Sequence, residues 1–398
     1  MTAKKILIIN AGWEQEDLIR TAKSMGLYVI AIDANIHAPA LKLADEIAIF
    51  EPRDIMGILN FAKSKNVSGV IADQCDYSHY TATLIADVLN LPSTGLEAVQ
   101  NATNKKWLRQ ACQQENILQP EFYPCKSYAE AVKASTNISF PVIVKPVDNR
   151  GNFGITRVDS INELKQAFYL AIANSHSREC LVEKFIEGTM ITVDGFTYSD
   201  GIHKSLAVAS KKMLEEKNTV AMEIYYPAKC SEDIIIKLKE NHDKVVKALG
   251  VKMGCTHGEY KLTEENEIYL IECANRGGGV YTSSRIVTSV SGEDISKLLI
   301  LSAIGEKTTP ILNTNKSACV LSFFKFRSGT IEKIHNKNEI INDKDVLAFR
   351  LSVAEGDIVK QIEGDASRHG FIIVKGNDLE SVLLKIEDLK YKLVVEYD

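Results

Sequence analysis

The first hundred residues alternate short apolar runs with amphipathic helical stretches, and few architectures accept that order. KKILIIN (4–10), LYVIAID (27–33), ADEIAIF (44–50) and VSGVIAD (67–73) read as strands. EDLIRTAKSMG (16–26), DIMGILNFAKSKN (54–66) and ATLIADVLN (82–90) read as helices. Strands separated by helices pair in parallel, because each helix carries the chain back to the same end of the sheet. The expected unit is α/β, a doubly wound parallel sheet ending near residue 100. The loop INAGWEQ holds only Gly12 of the three glycines that a dinucleotide-binding turn requires, so Asp33 reads as a strand-end acid.

The pattern then changes. A helix is expected from about Asn104 to Glu115, another at SYAEAVKAS, and a strand at FPVIVKP (140–146) with the glycine-bearing loop DNRGNFGI behind it. A helix follows at 161–174, strand and hairpin material at 180–210, a long amphipathic helix at 232–250, the hairpin HGEYKLTEENEIYLIECA, and a helix at 294–305. From about 311 a third segment runs through ACVLSFFKF and HGFIIVKG to a last helix, LESVLLKIEDL. The order is α/β, then α+β, then a small β-rich cap.

Composition narrows the partners. Charged residues make up 25% and hydrophobic ones 45%, which supports an ordinary core. A net charge of −5 without a long basic block gives no sign of non-specific nucleic-acid binding, yet a local phosphate site needs only a few cations. The eight cysteines form no C-x-x-C pair, which fits reduced thiols better than a disulfide frame or a zinc site. The first apolar run is too short for a signal peptide and no stretch reaches a membrane span, so a cytoplasmic protein is expected.

Four constellations carry chemistry. In the hairpin, a four-residue turn at Glu264 to Glu267 pairs Thr263 with Ile268 and sets Glu259 directly opposite Glu272. Facing side chains lie about 5 Å apart at Cβ, so the two acids repel unless a cation sits between them. Mg²⁺ suits such oxygen ligands and leaves positions for phosphate and water; solvated strand-end acids are the other reading. Lys145 ends an apolar strand, and Gly151 and Gly154 allow the next loop to lie against phosphate oxygens. Lys105 and Arg109 share one helix face at i and i+4, which suits an anion or a plain basic surface. LVEKFIEG (181–188) offers backbone and Glu183 to an adenine edge, or is an exposed edge strand with alternating charge. After the hairpin, IECANRGGG adds Asn275, Arg276 and Gly277 to Gly279.

In chain order these pieces resemble the ATP-grasp superfamily of carboxylate–amine ligases, closest to the subgroup of phosphoribosylglycinamide formyltransferase 2, carbamoyl phosphate synthase, biotin carboxylase and L-amino acid ligases. The resemblance covers nearly the whole chain. It implies an N-terminal α/β domain (1–103), a two-subdomain α+β grasp that closes on ATP (104–310), and a small β-rich α+β C-terminal domain (311–398). NKKWLR resembles the family's D-K-x-x-x-R helix start, with Asn104 where Asp is usual, and gives Lys105 and Arg109. VIVKP and GNFG resemble the phosphate lysine and glycine loop, giving Lys145, Gly151 and Gly154. VEKFIEG resembles the adenine hinge, giving Glu183, the backbone at Lys184, and Ile186. GEYKL and LIECANR resemble the paired metal acids Glu259 and Glu272, with Arg276 four residues on.

Two positions depart from the pattern. Ala274 stands where many members place a metal-binding Asn, so either Asn275 reaches the metal from one residue later or the two carboxylates suffice. Met190 stands where some relatives have a ribose-binding acid, and Glu187 is the candidate substitute. The resemblance implies ATP and Mg²⁺ (or Mn²⁺) as cofactors, and small-molecule carboxylate and amine substrates. It also implies a homodimer, with neither nucleic acid nor membrane as a partner. Lys105 and Lys145 would hold phosphates; Arg276, with Lys145, would be catalytic. Arg276, Gly278, Gly279 and Ser283 would meet the substrate carboxylate or its acyl phosphate. Substrate identity would lie in the loops at Gly12 and Asp73-Gln74 and in VYTSSR. A kinase of the same fold and a nucleotide-binding regulator without turnover are the rival readings. A biotin-dependent carboxylase is disfavoured because A-M-K-M is absent.

Overall fold

The computed structural model describes residues 3–149, 153–214, 220–311 and 317–398. Its first unit is a four-stranded sheet, β1 (Lys5–Ile9), β2 (Tyr28–Asp33), β3 (Glu46–Ile49) and β4 (Gly69–Ile71), in the order β3-β2-β1-β4 and parallel throughout. The alternation of strands and helices makes this arrangement. The run Ile6–Ile9 is fully buried because helices cover both faces. A further helix, Leu96–Thr103, which the apolar pattern does not announce, leads into the next unit.

The second unit opens with the helix Lys105–Gln114, whose first turn is capped by Asn104 accepting from the N–H groups of Lys106 and Trp107. A small antiparallel sheet follows: β5 (Phe122–Cys125), β6 (Val142–Pro146), β7 (Thr156–Val158) and β8 (Cys180–Lys184), in the order β5-β8-β6-β7. The chain then enters a larger sheet through β9 (Thr189–Thr197), β10 (His203–Met213), β11 (Ala221–Tyr226), β12 (Gly254–Leu262) and β13 (Ile268–Ala274). The long helix Glu232–Leu249 packs on this sheet through Ile234, Leu238, Val245 and Leu249.

The C-terminal segment holds β14 (Ala318–Phe323), β15 (Gly329–Ile334), β16 (Val346–Leu351), β17 (Ile358–Val359), β18 (Gly370–Gly376) and β19 (Val395–Tyr397). Three of these strands extend the larger sheet, whose order is β13-β12-β9-β10-β11-β14-β18-β16. One apolar core links the three segments, joining Ile6 and Ile8 to Phe196, Ile295, Ile300 and Phe371. Among the described residues no helix is long and apolar enough to cross a membrane.

Register in the hairpin differs from the expected four-residue turn. Leu262 pairs with Ile268, Lys261 with Tyr269 and Tyr260 with Leu270, so Thr263 lies in the turn. Continued unbroken, that register would set Ile271 opposite Glu259 and turn Glu272 to the other face. A bulge intervenes: Ile271 is the extra residue, and beyond it Glu259 pairs with Glu272 and His257 with Ala274. The facing acids are present as expected, but they face each other because the bulge cancels the longer turn.

Candidate active site

One face of the larger sheet carries three cross-strand rows. Met190, Lys261 and Tyr269 form the first; Thr192, Glu259 and Glu272 the second; Asp194, His257 and Ala274 the third. The first row lies at the link between the two sheets, where Lys261 Nζ donates to the Gly188 carbonyl at 2.7 Å. The third row abuts the glycines that follow β13.

The two acids of the middle row are each met by an ammonium. Lys105 Nζ lies 2.9 Å from Glu272 Oε1 and donates to the Asn149 carbonyl at 2.8 Å. Burial opposes charge on Lys105, but Glu272 and Asp76 outweigh it and hold its pKa above the ordinary lysine value. Lys211, from β10, reaches Glu259 Oε1 at 2.5 Å. That ammonium, against the cost of burial, holds the Glu259 pKa at about 2. Two facing carboxylates are a hard oxygen donor set of the kind Mg²⁺ takes. Lys211 was not singled out in the sequence; in SKKML nothing separates it from its exposed neighbour Lys212.

Glu183 does something other than read adenine. Its carboxylate is 3% exposed and both oxygens are taken. Arg109 Nε lies 2.8 Å from Oε1, Arg109 Nη2 3.3 Å from Oε2, and Lys145 Nζ 2.7 Å from Oε2. Burial would raise its pKa; the two cations outweigh this and hold it at about 2. Burial also pushes the Lys145 pKa below the ordinary lysine value. Glu183 is thus the buried counter-ion that holds Lys145 and Arg109 at the cleft. The backbone at Lys184 is likewise engaged, since its N–H donates to the Glu121 carbonyl and that of Phe185 to the Pro141 carbonyl. Ile186 is half-buried in the linker between β8 and β9, and Glu187 is exposed. Arg109 and Lys105 are both buried, which removes the plain basic surface as their explanation.

Asn275 is not placed as a metal ligand. It follows Ala274 on β13 and so points to the face opposite Glu272. Its Nδ2 donates to the carbonyls of Cys255 (2.8 Å) and Met253 (3.3 Å), and Oδ1 meets His79 Nε2 at 3.2 Å. It pins the end of β13 to the start of β12 and to the first unit. Gly154 has φ +78°, and a Cβ there would lie 2.8 Å from Cβ of Asn174, so packing requires glycine. Gly151 lies outside the described residues.

Arg276 and the glycines are held by acids of the first unit. Arg276 Nε and Nη2 grip Asp76 at 2.7 and 3.2 Å, while Nη1 donates to the Gly277 carbonyl. Asp73 accepts from the Gly277 N–H at 2.7 Å and from the Ser283 hydroxyl at 3.0 Å. Ser283 is 3% exposed, so its hydroxyl fixes the loop instead of meeting a substrate. Glu14 accepts from the Val280 N–H, and Asp17 from Ser284 and Arg285. Gly278 lies against Thr282 and His257, and Gly279 is exposed beside Glu14. The stretch 280–285 thus meets the Gly12 and Asp73 loops. Asp73 and Asp76 follow the carboxyl end of a parallel strand, where open α/β sheets place their ligands; that position was the available signal for Asp76.

Comparison with known proteins follows the same lines. A family model described as ATP-grasp domain matches residues 138–284, and one described as L-amino acid ligase C-terminal domain 2 matches 322–398. The formate-dependent phosphoribosylglycinamide formyltransferase of Erythrobacter litoralis is 27% identical over 253 residues, covering 62% of this chain and 63% of its own length. Two crystal structures align along the full length of both chains. One, of phosphoribosylglycinamide synthetase from Anaerococcus prevotii, has a TM-score of 0.79 at 25% identity. The other, of L-amino acid ligase from Bacillus licheniformis, has a TM-score of 0.83 at 21% identity and speaks to the fold alone.

Proposed function

We infer a reaction from one premise: the chain belongs to the ATP-grasp family of ligases. It activates a small-molecule carboxylate with ATP as an acyl phosphate and joins the acyl group to an amine, releasing ADP and phosphate. The observation that carries this reading is the pair Glu259 and Glu272, facing each other on the cleft floor with Lys211 and Lys105 against them.

Each residue has a place in that reaction. Glu259 and Glu272 would hold Mg²⁺, which supplies charge neutralisation on the phosphate oxygens. Lys105 and Lys211, which now balance the acids, would turn to those oxygens. Lys145 stands on its buried Glu183 as a further fixed cation. In phosphoryl transfer a protein mainly positions groups and stabilises charge, and this set does both. Arg276, held by Asp76 through Nε and Nη2 and by the Gly277 carbonyl through Nη1, would meet the carboxylate or acyl phosphate with the N–H groups left on its fork, which suits two oxygens. The exposed Gly279 leaves backbone open beside it.

The test is ADP release across a panel of carboxylates and amines, beginning with the L-amino acids because of the C-terminal match. Hydroxylamine is included to trap an acyl phosphate as the hydroxamate. ADP formed together with an amide supports the ligase. A phosphorylated product that persists in the phosphorus NMR spectrum, with no amide, identifies a kinase instead. Tight ATP binding without ADP formation identifies a regulator.

A further inference from the structure

The C-terminal segment has no part in the reaction as set out above, yet its strand β16 reaches the loops of the first two units. Arg350 makes one of those contacts. We propose that Arg350 is a specificity-determining residue, its guanidinium taking a carboxylate of the substrate other than the one that is activated. The proposal rests on the ligase reading, and its test reads binding directly so that the two can fail separately.

The larger sheet places Arg350. Glu259 pairs with Thr192 and Thr192 with Ala209. Two residues along β10, Lys211 pairs with Ile224, and the row runs on through Leu321 and Ile373 to Ala348 on β16. Paired residues share a face, and so do residues two apart on a strand. Arg350, two beyond Ala348 and opposite Phe371, therefore stands on the face that carries the two acids.

The Gly12 loop lies over it. Arg350 Cζ is 5.0 Å from the centroid of the Trp13 ring. Trp13 is half-buried beside Tyr281 and Phe371, whose ring centroids are 5.0 and 5.5 Å away, and its carbonyl accepts from the Tyr281 hydroxyl at 3.0 Å. The next residue, Glu14, accepts from the Val280 N–H and lies against Gly279. One short turn, Trp13–Gln15, thus joins the glycines beside Arg276 to the guanidinium of Arg350. A substrate laid along that turn meets Arg276 at one end and Arg350 at the other.

The charges of this cluster single Arg350 out. Asp17 accepts from Ser284 and from Arg285, and Arg285 donates in turn to the Leu347 carbonyl of β16. Arg350 is exposed, and among the described residues no carboxylate or carbonyl accepts from it. An aromatic ring attracts the charge of a guanidinium but takes none of its in-plane N–H donors. Those donors are left for an anion, and a single guanidinium fork matches the two oxygens and one charge of a carboxylate. A guanidinium that only covers Trp13 is the competing role, and it predicts no carboxylate preference.

The chain has two tryptophans, so Trp107→Phe leaves Trp13 as the single reporter. Its emission is followed during titration with succinate, L-aspartate and L-glutamate, and with succinamate, L-asparagine and L-glutamine, which lack one carboxylate. L-alanine and L-alaninamide form the amine arm. The expected result is saturable binding of at least one acid, at a half-saturation about tenfold or more below that of its amide, and loss of that preference in Arg350→Gln. Arg350→Lys, which keeps the charge without the fork, retains part of it. Calorimetry on the same variants separates lost binding from a lost optical signal. A preference among the dicarboxylates assigns the group to the acyl substrate; one confined to L-alanine assigns it to the amine. No saturable binding of any acid overturns the proposal, and so does a preference that survives in Arg350→Gln. If binding depends on Arg350 while no carboxylate and amine yield ADP, the ligase reading fails and the site stands.

Discussion

Arg109 Nη2 donates to the main-chain carbonyl of Ile271 at 2.8 Å. Ile271 is the one residue that β13 carries in excess of β12, so the guanidinium secures the bulge that brings Glu272 to the cleft face. The same side chain is bidentate to Glu183. Arg109→Met therefore removes a buried partner and a bulge anchor together. Its cost is expected at about 3–5 kcal/mol, the range for breaking a buried pair by deleting one partner. Urea unfolding measures it; a loss under 1 kcal/mol would contradict the role.

Deleting Ile271 should close the bulge into an uninterrupted ladder from Leu262, in which Glu272 follows Leu270 and still pairs with Glu259. The chain should still fold and keep ADP release; loss of ADP release in the folded variant would show that the bulge itself is required. Glu272→Gln, which keeps the shape and removes the charge, should lower ADP release about 10²-fold or more, as for a group that stabilises transition-state charge. Wild-type turnover in that variant would refute the metal assignment.

Acid sensitivity follows from Glu183. Its pKa stands near 4.5 in an ordinary environment and about 2 in the fold. A carboxylate depressed in this way contributes stability that is complete above 4.5 and is lost as the pH falls towards 2. Wild type should weaken across that window. Glu183→Gln, less stable at neutral pH, should show a flatter decline there. Denaturant midpoints at several pH values decide it.

Asp76 holds one edge of the Arg276 guanidinium fork, through Nε and Nη2. Asp76→Ala frees that fork to swing. A small misplacement of a clamp can cost up to about 10²-fold in rate, so kcat/KM for the carboxylate should fall by about tenfold or more, while the KM for ATP stays close to wild type. Equal loss for both substrates would show that Asp76 supports the cleft as a whole.

Gly277 is buried, and a Cβ there would lie 2.2 Å from Ser283 Oγ and 2.9 Å from Asp73 Oδ1. Gly277→Ala should cost about 1–3 kcal/mol by overpacking and displace the loop that carries Arg276. Thermal melting and carboxylate KM should move together.

Much of this was legible because it is periodic or local. The parallel sheet follows from the alternation of strands and helices, the cap from Asn104 and the acid pair from the hairpin. What was hidden depends on contacts across the chain. The turn was read one residue short and Ile271 was not seen as a bulge; these two errors have opposite sign and leave the same pair of acids in place. Glu183 looks like a hinge acid until Arg109 and Lys145 close on it. Asn275 lies within one residue of a ligand position, yet the alternation of a strand puts that residue on the wrong face. Arg276 shows itself in the sequence, whereas Asp76, 200 residues earlier, does not.

The larger sheet passes from β11 into β14 without a break, with Tyr226 paired to Cys319 and Glu223 to Ser322. The C-terminal segment is therefore a poor unit for cutting or exchange. A chain ended near residue 311 would bare the ladder of β11 as a raw edge, open to pairing with another molecule. The same seam means that swapping this segment between relatives transplants three strands of the sheet that forms the cleft floor. Any chimera made to change substrate choice would carry its junction in the middle of one continuous hydrogen-bonded ladder.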